Sequence, residues 1–200
     1  MTGESIDLTE TDPHVVRQSA EETGGEFVRL ESTLYPRSDA AASAVDLPHE
    51  RWGIDSDFEH VHPEQEERLA VVSGELRVAW AGTERTLQAG EDVVLPADVP
   101  HRHWNPTDRP ARLVWERRPA LQTEAWAETV YALAQAGKTD EDGFPGLLQT
   151  LVLIDAYPAQ LYPTVAPVRV QRLAASALAP VGRALGLEAT HTREDVEELR

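Results

Sequence analysis

The sequence has no cysteine, and this absence limits the chemistry that the protein can use. Disulfide bonds and thiolate nucleophiles are excluded, and any metal ion must be held by nitrogen and oxygen atoms. No uncharged apolar run reaches the length of about 18 residues that a membrane span needs. The best candidate, residues 151–168, is interrupted by Asp155 and three prolines. We therefore expect no transmembrane helix and no stable membrane insertion.

Lysine is nearly absent: of 18 basic residues one, Lys138, is lysine and the other 17 are arginine, against 35 acidic residues. The net charge of −17 argues against binding nucleic acid or anionic membranes through phosphate contacts. An acidic chain with one lysine fits a cytoplasm rich in salt, where screening weakens self-repulsion. A GC-rich genome, which favours arginine codons, is the alternative explanation. The acidic start, MTGESIDLTETDPHVV, lacks the apolar core of a signal peptide, so we expect a cytoplasmic location.

Three regions differ in pattern along the chain. Residues 1–25 are polar and acidic and are predicted to form a flexible arm. Residues 26–118 contain short alternating stretches separated by Gly, Pro and Asp turns, which predicts a β-barrel or sandwich. Within it, Ser73-Gly74 is predicted to be the turn of a hairpin.

Residues 119–200 change to helical spacing and are predicted to form a C-terminal helical extension. The first helix has one apolar face, made of Leu121, Trp126, Val130, Leu133 and Ala134, and Gly137 is predicted to end it. A second apolar segment covers residues 147–157. A third, residues 168–187, is amphipathic and basic, and Pro180 is expected to kink or split it. We expect this helix to pack on its own barrel or on a partner subunit, because three arginines attract a membrane too weakly.

Four of the seven histidines lie in two short segments of the β region. His60 and His62 are two apart, so in a strand they point to the same side. His101 follows an apolar strand and a Pro-rich turn. Imidazole suits Fe, Mn, Ni, Cu and Zn, and a nearby carboxylate would leave coordination positions open. From the residues alone, Glu64, Glu66 and Glu67 are equal candidates for that carboxylate.

The two segments resemble the two motifs of the cupins, which are small double-stranded β-helix (jelly-roll) barrels. The first motif, G-x5-H-x-H-x3,4-E-x6-G, is matched from His60 to Gly74, except that its leading glycine is absent and Gly53 stands one place away. The second motif, G-x5-P-x-G-x2-H-x3-N, is matched from Gly90 to Asn105 with Asp98 in place of the central glycine. Asp tolerates left-handed backbone better than most residues, so this turn is expected to survive. The resemblance covers about residues 26–118.

The resemblance implies that His60, His62, Glu67 and His101 hold one divalent metal ion. The cupin spacing to Gly74 selects Glu67 over its neighbours. We expect Fe, Mn or Ni, with Zn also compatible. Glu67 is additionally a candidate proton acceptor.

Further residues near the motifs are candidates for the substrate pocket. His103 shares the face of His101 and is an acid–base candidate, with an ordinary buried histidine as the alternative. Trp52, Phe58 and Trp104 flank the motifs and are candidate pocket walls, although each of them equally fits plain core.

We expect an enzyme of dioxygenase type that binds a small oxygenated substrate in bidentate fashion. Isomerase and decarboxylase chemistry stay open, since fold does not determine reaction. The other hypothesis is a non-catalytic small-molecule binding or sensor protein with a structural metal. A homodimer is expected by resemblance, and because an apolar helical tail needs a surface to cover it.

Overall fold

The computed structural model describes residues 14–34, 58–140 and 144–192, with residues 195 and 199. Within these residues there are ten strands and three helices. The strands are β1 (His14–Gln18), β2 (Val28–Leu34), β3 (His60–Val61), β4 (Glu66–Ser73), β5 (Glu75–Trp80), β6 (Thr83–Gln88), β7 (Asp92–Leu95), β8 (His101–Trp104), β9 (Ala111–Arg118) and β10 (Tyr162–Pro163). The helices are α1 (Thr123–Gln135), α2 (Leu147–Ala156) and α3 (Val168–Ala184).

The strands form two five-stranded antiparallel sheets with the orders β1-β2-β9-β4-β7 and β10-β3-β8-β5-β6. Alternate residues of the strands are buried, as in Val28, Leu30 and Leu34 of β2, because successive side chains point to opposite faces. Inward side chains from both sheets, among them Leu69 and Leu76, belong to one apolar core. The predicted mainly β jelly-roll class with a C-terminal helical extension is confirmed.

The predicted hairpin at Ser73-Gly74 is wrong, because β4 and β5 belong to different sheets. The chain crosses here from one sheet to the other. Gly74 has φ +81°, and a Cβ on it would lie 2.8 Å from the Cα of Ala111. Glycine is therefore needed both for its left-handed backbone and for the close approach of β9. The turn at Asp98 agrees with expectation: its φ is +61°, the left-handed value that the replaced glycine would supply.

The first helix buries Trp126, Val130, Leu133 and Ala134 as predicted, whereas Leu121 precedes the helix and is 43% exposed. At its end Gly137 has φ +70°, and Lys138 N donates to the Leu133 carbonyl at 2.9 Å. This is the left-handed closure expected of a helix-ending glycine.

The third helix runs unbroken through Pro180, so of the expected kink or split, the split is wrong. Proline in mid-helix removes one backbone hydrogen bond, and this helix also packs closely on α2. A Cβ on Gly182 would lie 2.6 Å from a Val152 methyl carbon, which shows how near the two helices come. None of the helices among the described residues has the length and apolar character needed to span a membrane.

Segments outside the expected barrel also join its sheets. Residues 14–18, assigned by sequence to the flexible arm, form β1 and pair with β2. Residues 162–163 of the extension form β10, where Tyr162 pairs with Val61 and Pro163 with His60. Arg172 of α3 fastens the extension further, since it donates to the Tyr162 hydroxyl at 3.0 Å and to Glu64 at 3.0 Å. The extension is therefore continuous with the barrel.

Replacing Gly74 with alanine tests the crossing between sheets. Gly90→Ala is the matched control, because Gly90 has a similar φ of +87° but no described atom within 4 Å of the new Cβ. We expect Gly90→Ala to lower the free energy of unfolding by about 1–2 kcal/mol, the cost of left-handed backbone. Gly74→Ala should cost about 1–3 kcal/mol more, because Ala111 must move. Equal losses in urea unfolding would contradict this account of Gly74.

Candidate metal centre

The four candidate ligands come together from both sheets. His60 and His101 lie directly opposite each other on β3 and β8, with ring centroids 4.5 Å apart. His62 follows β3, and its ring centroid is 5.0 Å from that of His60. Glu67 reaches in from β4 of the other sheet, with Oε2 3.1 Å from His101 Nε2. One donor atom from each residue lies within 4.8 Å of all the others.

Each of the three imidazoles is oriented by a backbone carbonyl. Nδ1 of His60, His62 and His101 contacts the carbonyl oxygens of Phe58 at 3.2 Å, Gln160 at 2.5 Å and Val99 at 2.9 Å. A carbonyl oxygen only accepts, so Nδ1 carries a proton in each ring, and in neutral His60 and His62 the lone pair is on Nε2. This is the arrangement that commonly orients metal-binding histidines.

The protein environment favours the neutral forms of His60 and His62. Burial lowers the pKa of His60 and of His62 well below the ordinary value for histidine. The pKa of His60 is lowered further because its protonation would be opposed by protonated His62 or His101, and the charge of Arg117 lowers the pKa of His62 further. His62 Nε2 has no hydrogen-bond partner among the described residues although it is buried. Such an atom fits a ligand that a metal ion would satisfy.

Arg117 neutralises the buried carboxylate of Glu67. The two residues are paired across β4 and β9, and the Nε and Nη2 atoms of Arg117 both lie 3.0 Å from Glu67 Oε1. Burial alone would raise the pKa of Glu67, but the charge of Arg117 and the hydrogen bond with His101 hold it well below its usual value. The guanidinium lies over the rings of Trp115 and Trp126, at 5.0 and 5.5 Å from their centroids. Glu67 is thus ionised and held in one position.

The chemistry of this donor set fits a divalent transition-metal ion. Three neutral nitrogen donors and one carboxylate oxygen suit Fe, Mn, Ni or Zn, and such a set leaves coordination positions open. All four side chains are only 1–2% exposed. The buried cluster of His60, His62, Glu67 and His101 could therefore hold a metal ion.

The neighbouring carboxylates and His103 are placed differently. Glu64 and Glu66 are exposed, and Glu64 pairs with Arg172 of the extension. His103 is buried on the same face of β8 as His101, with its ring centroid 6.1 Å from that of His60. It lies beside the four-residue cluster without belonging to it.

Two of the candidate pocket walls, Phe58 and Trp104, lie among the described residues, and the structure does not bring these two together. Phe58 stacks on His60 with ring centroids 4.9 Å apart. Trp104 alternates to the other face of β8, where the guanidinium of Arg102 lies 4.9 Å from its ring centroid. Trp52 lies outside the described residues. Of the two described residues, Phe58 is the one that lies beside the candidate ligands.

An apolar pocket of about 550 Å³, part of it open to solvent, lies next to Phe58. Helices α1 and α2 and the segment leading to β10 form its walls. The residues that line it are Phe58, Trp126, Val130, Phe144, Pro145, Thr150, Leu153, Ile154, Tyr157, Leu161 and Pro163. Most of this lining is contributed by the C-terminal extension.

Comparison with known proteins identifies the family. Residues 52–116 match the family model for the cupin domain. The chain belongs to the cupin family. It is 33% identical over 119 residues to "Polyketide synthase CurC" of Streptomyces cyaneus, a match that covers 57% of this chain and 68% of that protein.

The chain is also similar to a further relative and to solved structures. This cupin is 38% identical over 61 residues to "Protein SchB" of Streptomyces halstedii, covering 30% of this chain and 44% of that protein. Among solved structures it resembles KdgF from Halomonas sp., with 12% identity and a TM-score of 0.41 over 61% of this chain and 93% of that one.

Sequence reasoning missed two residues that this cupin places against its candidate ligands. Arg117 could have been recognised from sequence. Leu113, Trp115 and Arg117 are alternate residues of one strand, so Arg117 is a charged residue at an inward position. Gln160 could not have been recognised from the sequence. Its contribution to His62 is a backbone carbonyl 98 residues away in sequence, which any residue type could supply.

Removing Arg117 should show how much the buried charge on Glu67 lowers the free energy of unfolding when it has no partner. In metal-free protein, we expect Arg117→Met to lower the free energy of unfolding near pH 8 by about 3–5 kcal/mol, because an uncompensated carboxylate remains inside. Arg68→Met, which breaks a half-exposed pair with Asp92 on the same sheet, is the matched control and should cost less than about 1 kcal/mol. Urea unfolding measures both.

The deficit of Arg117→Met should depend on pH. In the wild type the lowered pKa of Glu67 contributes stability above its unfolded pKa, and that stability is lost only in acid. In the variant, burial raises this pKa, so the carboxyl takes up a proton as the pH falls. The difference from wild type should therefore shrink between about pH 8 and pH 5. A deficit that is constant across this range, or no larger than that of Arg68→Met, would contradict the assigned role of Arg117.

Proposed function

We propose that this cupin is a metal-dependent enzyme that acts on a small molecule presenting two neighbouring oxygen atoms, with a dioxygenase-type reaction as the first candidate. His60, His62, Glu67 and His101 are the proposed ligands of one divalent ion. Fe, Mn and Ni are the first candidates for the ion, and Zn is also compatible.

One observation supports the proposal: protein groups alone orient all four donor side chains, without a metal ion. Three imidazoles are oriented by backbone carbonyls through Nδ1, which leaves Nε2 of each ring as the proposed donor, and Arg117 keeps the fourth donor ionised. An ion in such a site supplies Lewis-acid polarisation of a bound oxygen atom or, as iron, activation of O₂. The protein contributes the orientation of the donors and the exclusion of water around them.

The substrate class is supported by the relative called "Polyketide synthase CurC". A polyketide chain carries carbonyl groups on alternate carbon atoms, so two of its oxygen atoms can approach one ion together. Enolised β-diketones and the phenols derived from them share this property. We propose a polyketide-derived β-dicarbonyl or hydroxy-carbonyl compound as the substrate.

The proposed proton-transfer residue is His103. It is buried beside the ligands, and neutral imidazole both accepts and donates protons near neutral pH. Glu67 was the other candidate from sequence. Its ion pair with Arg117 disfavours protonation and supports a ligand role instead. In this proposal Glu67 holds the ion, while His103 exchanges a proton with the substrate.

The second candidate function is non-catalytic binding or sensing with a structural metal. Its support is the burial of the ligands, since all four are nearly inaccessible and structural sites are typically closed. Isomerase and decarboxylase chemistry form a third group, which would need the metal but no O₂.

The expected homodimer stays a prediction. The outer face of α3, where Val170, Leu173 and Val181 are 49–72% exposed, is the surface on which it depends.

Metal content tests the proposed ligands. We expect about one divalent ion per chain after reconstitution, measured by elemental analysis, and a loss of at least about tenfold in affinity for His101→Ala. His103→Ala is the matched control, because it removes a buried histidine from the same face of the same strand. It should keep the metal. Uptake of less than a trace by the wild type, or equal losses in the two variants, would contradict the assignment.

Oxygen uptake separates the candidate reactions. The Fe(II) and Zn(II) forms are each given flavonols, β-diketones and catechols, with and without O₂. A dioxygenase consumes O₂ with Fe(II) only, and His103→Ala should lower kcat by about 10²–10⁴-fold, the usual range for an acid–base group. Turnover without O₂ in both metal forms would favour an isomerase or decarboxylase. A fold that collapses on metal removal, without any turnover, would favour the structural role.

A further inference from the structure

We propose that Thr123 is a positioning residue for the candidate ligand His62 and that it acts through the side chain of Gln160. The proposal rests on the proposed function in one respect, because it takes His62 to be a metal ligand. Thr123 is the first residue of α1. Through it, the docking of the C-terminal extension and the affinity of the centre for a metal ion are coupled.

Gln160 reaches His62 with its main chain. Its carbonyl oxygen accepts from His62 Nδ1 at 2.5 Å, and its own backbone N donates to the Tyr157 carbonyl at 3.1 Å. The direction of that carbonyl determines where the ring of His62 lies and therefore where its Nε2 points. Any contact that holds residue 160 in place consequently acts on the proposed ligand.

The Thr123 hydroxyl is the point at which two buried amides meet. Gln65 Nε2 donates to Thr123 Oγ1 at 2.8 Å, and Thr123 Oγ1 donates to Gln160 Oε1 at 3.0 Å. Oγ1 also lies 2.7 Å from the Ala120 carbonyl oxygen, so its one hydrogen is shared between two acceptors. We call Gln65, Thr123 and Gln160 the polar network. All three residues are at most 1% exposed, so water cannot easily replace a hydrogen bond that is lost among them.

The hydroxyl of Thr123 does not serve its own helix. Threonine near a helix start commonly caps it by accepting from a backbone N–H. In α1 the N-cap residue is Gln122, and among the described residues no side chain makes a capping hydrogen bond there. The buried hydroxyl is turned to the polar network instead, which is the reason for assigning it a role at the centre.

Gln65 connects the same network to the segment between the ligands. It lies three residues after His62 and two residues before Glu67. Its Nε2 is also 2.8 Å from the Pro119 carbonyl oxygen and 3.2 Å from that of Ala120, where the chain passes from β9 to α1. One side chain therefore ties the segment that bears two candidate ligands to the start of the extension.

The two connections make metal binding and docking mutually dependent. The extension supplies the carbonyl that orients His62, and the polar network fixes the segment that supplies it. Coupling between two binding events is reciprocal. An ion at the centre should therefore stabilise the docked extension as much as docking favours the ion.

Replacing Thr123 with valine tests the proposal, because valine keeps nearly the same shape and lacks the hydroxyl. Thr129→Val is the matched control, since Thr129 lies in the same helix and is equally buried. Its hydroxyl donates to the Ala125 carbonyl at 2.8 Å and accepts from His191 N at 3.2 Å. Thr123→Ser restores the hydroxyl as a conservative variant. Circular dichroism and thermal melting check that each variant is folded.

The first measurement is the affinity for Zn(II), determined by competition with a chromophoric chelator at constant pH. Thr123→Val should weaken it by about tenfold, the lower end of the effect of residues that orient metal ligands. Thr129→Val and Thr123→Ser should stay near the wild-type value. The second measurement uses NMR of the metal-free protein, in which the signal of the His62 Nδ1 proton should move in Thr123→Val but not in Thr129→Val.

A double variant tests whether Thr123 acts through Gln160. Gln160→Met removes the side-chain amide but keeps the carbonyl that accepts from His62. It should also weaken Zn(II) by about tenfold, and the double variant should be no weaker than either single variant, because both changes remove one shared hydrogen bond. Gln160→Met decides the matter by itself if Thr123→Val does not fold.

Equal Zn(II) affinities in Thr123→Val and Thr129→Val would overturn the proposal. Losses that multiply in the double variant would overturn the path through Gln160. If the wild type takes up no metal, the proposed function fails. The NMR measurement on the metal-free protein then decides separately whether Thr123 positions His62.

Discussion

The carboxylate of Glu67 is ionised although it is buried, and much of the structure follows from the need to compensate this negative charge. A buried ion without a partner costs roughly several kcal/mol. The compensation comes from Arg117, directly opposite on the neighbouring strand, and from His101 on the other sheet. Because Glu67 bonds to both, the spacing of the two sheets is tied to the geometry of one side chain.

This constraint also explains why the candidate centre is rigid. Each histidine is held by a backbone carbonyl and the glutamate by a guanidinium, so none of the four side chains depends on water for its orientation. The guanidinium is itself enclosed by Trp115 and Trp126, one from the barrel and one from the extension. The extension therefore helps to position the centre from behind Arg117 as well as at His62.

Much of the fold and the candidate site could be predicted from local sequence. The spacing of the two motifs predicted which histidines meet, since residues two apart in a strand share a face. The left-handed turn at Asp98 could also be predicted from local sequence. What sequence could not give depends on contacts between distant segments. The crossing at Gly74 looks like a hairpin turn in sequence, because positive φ serves both purposes. Packing and strand pairing between distant segments determine which face of β8 Trp104 occupies. They also determine which carbonyl oxygen contacts His62.

The hydrogen bond between His62 and Gln160 has a consequence for the order of assembly. It joins residues 98 positions apart, and β10 closes on β3 in the same place. During synthesis the strands β1 to β9 are complete at residue 118, while the carbonyl that orients His62 is still to be made. Domains form largely as units from the N-terminus, so the barrel can collapse first. His62 then receives its orienting carbonyl only after the extension has docked, so the donor set is completed late in assembly.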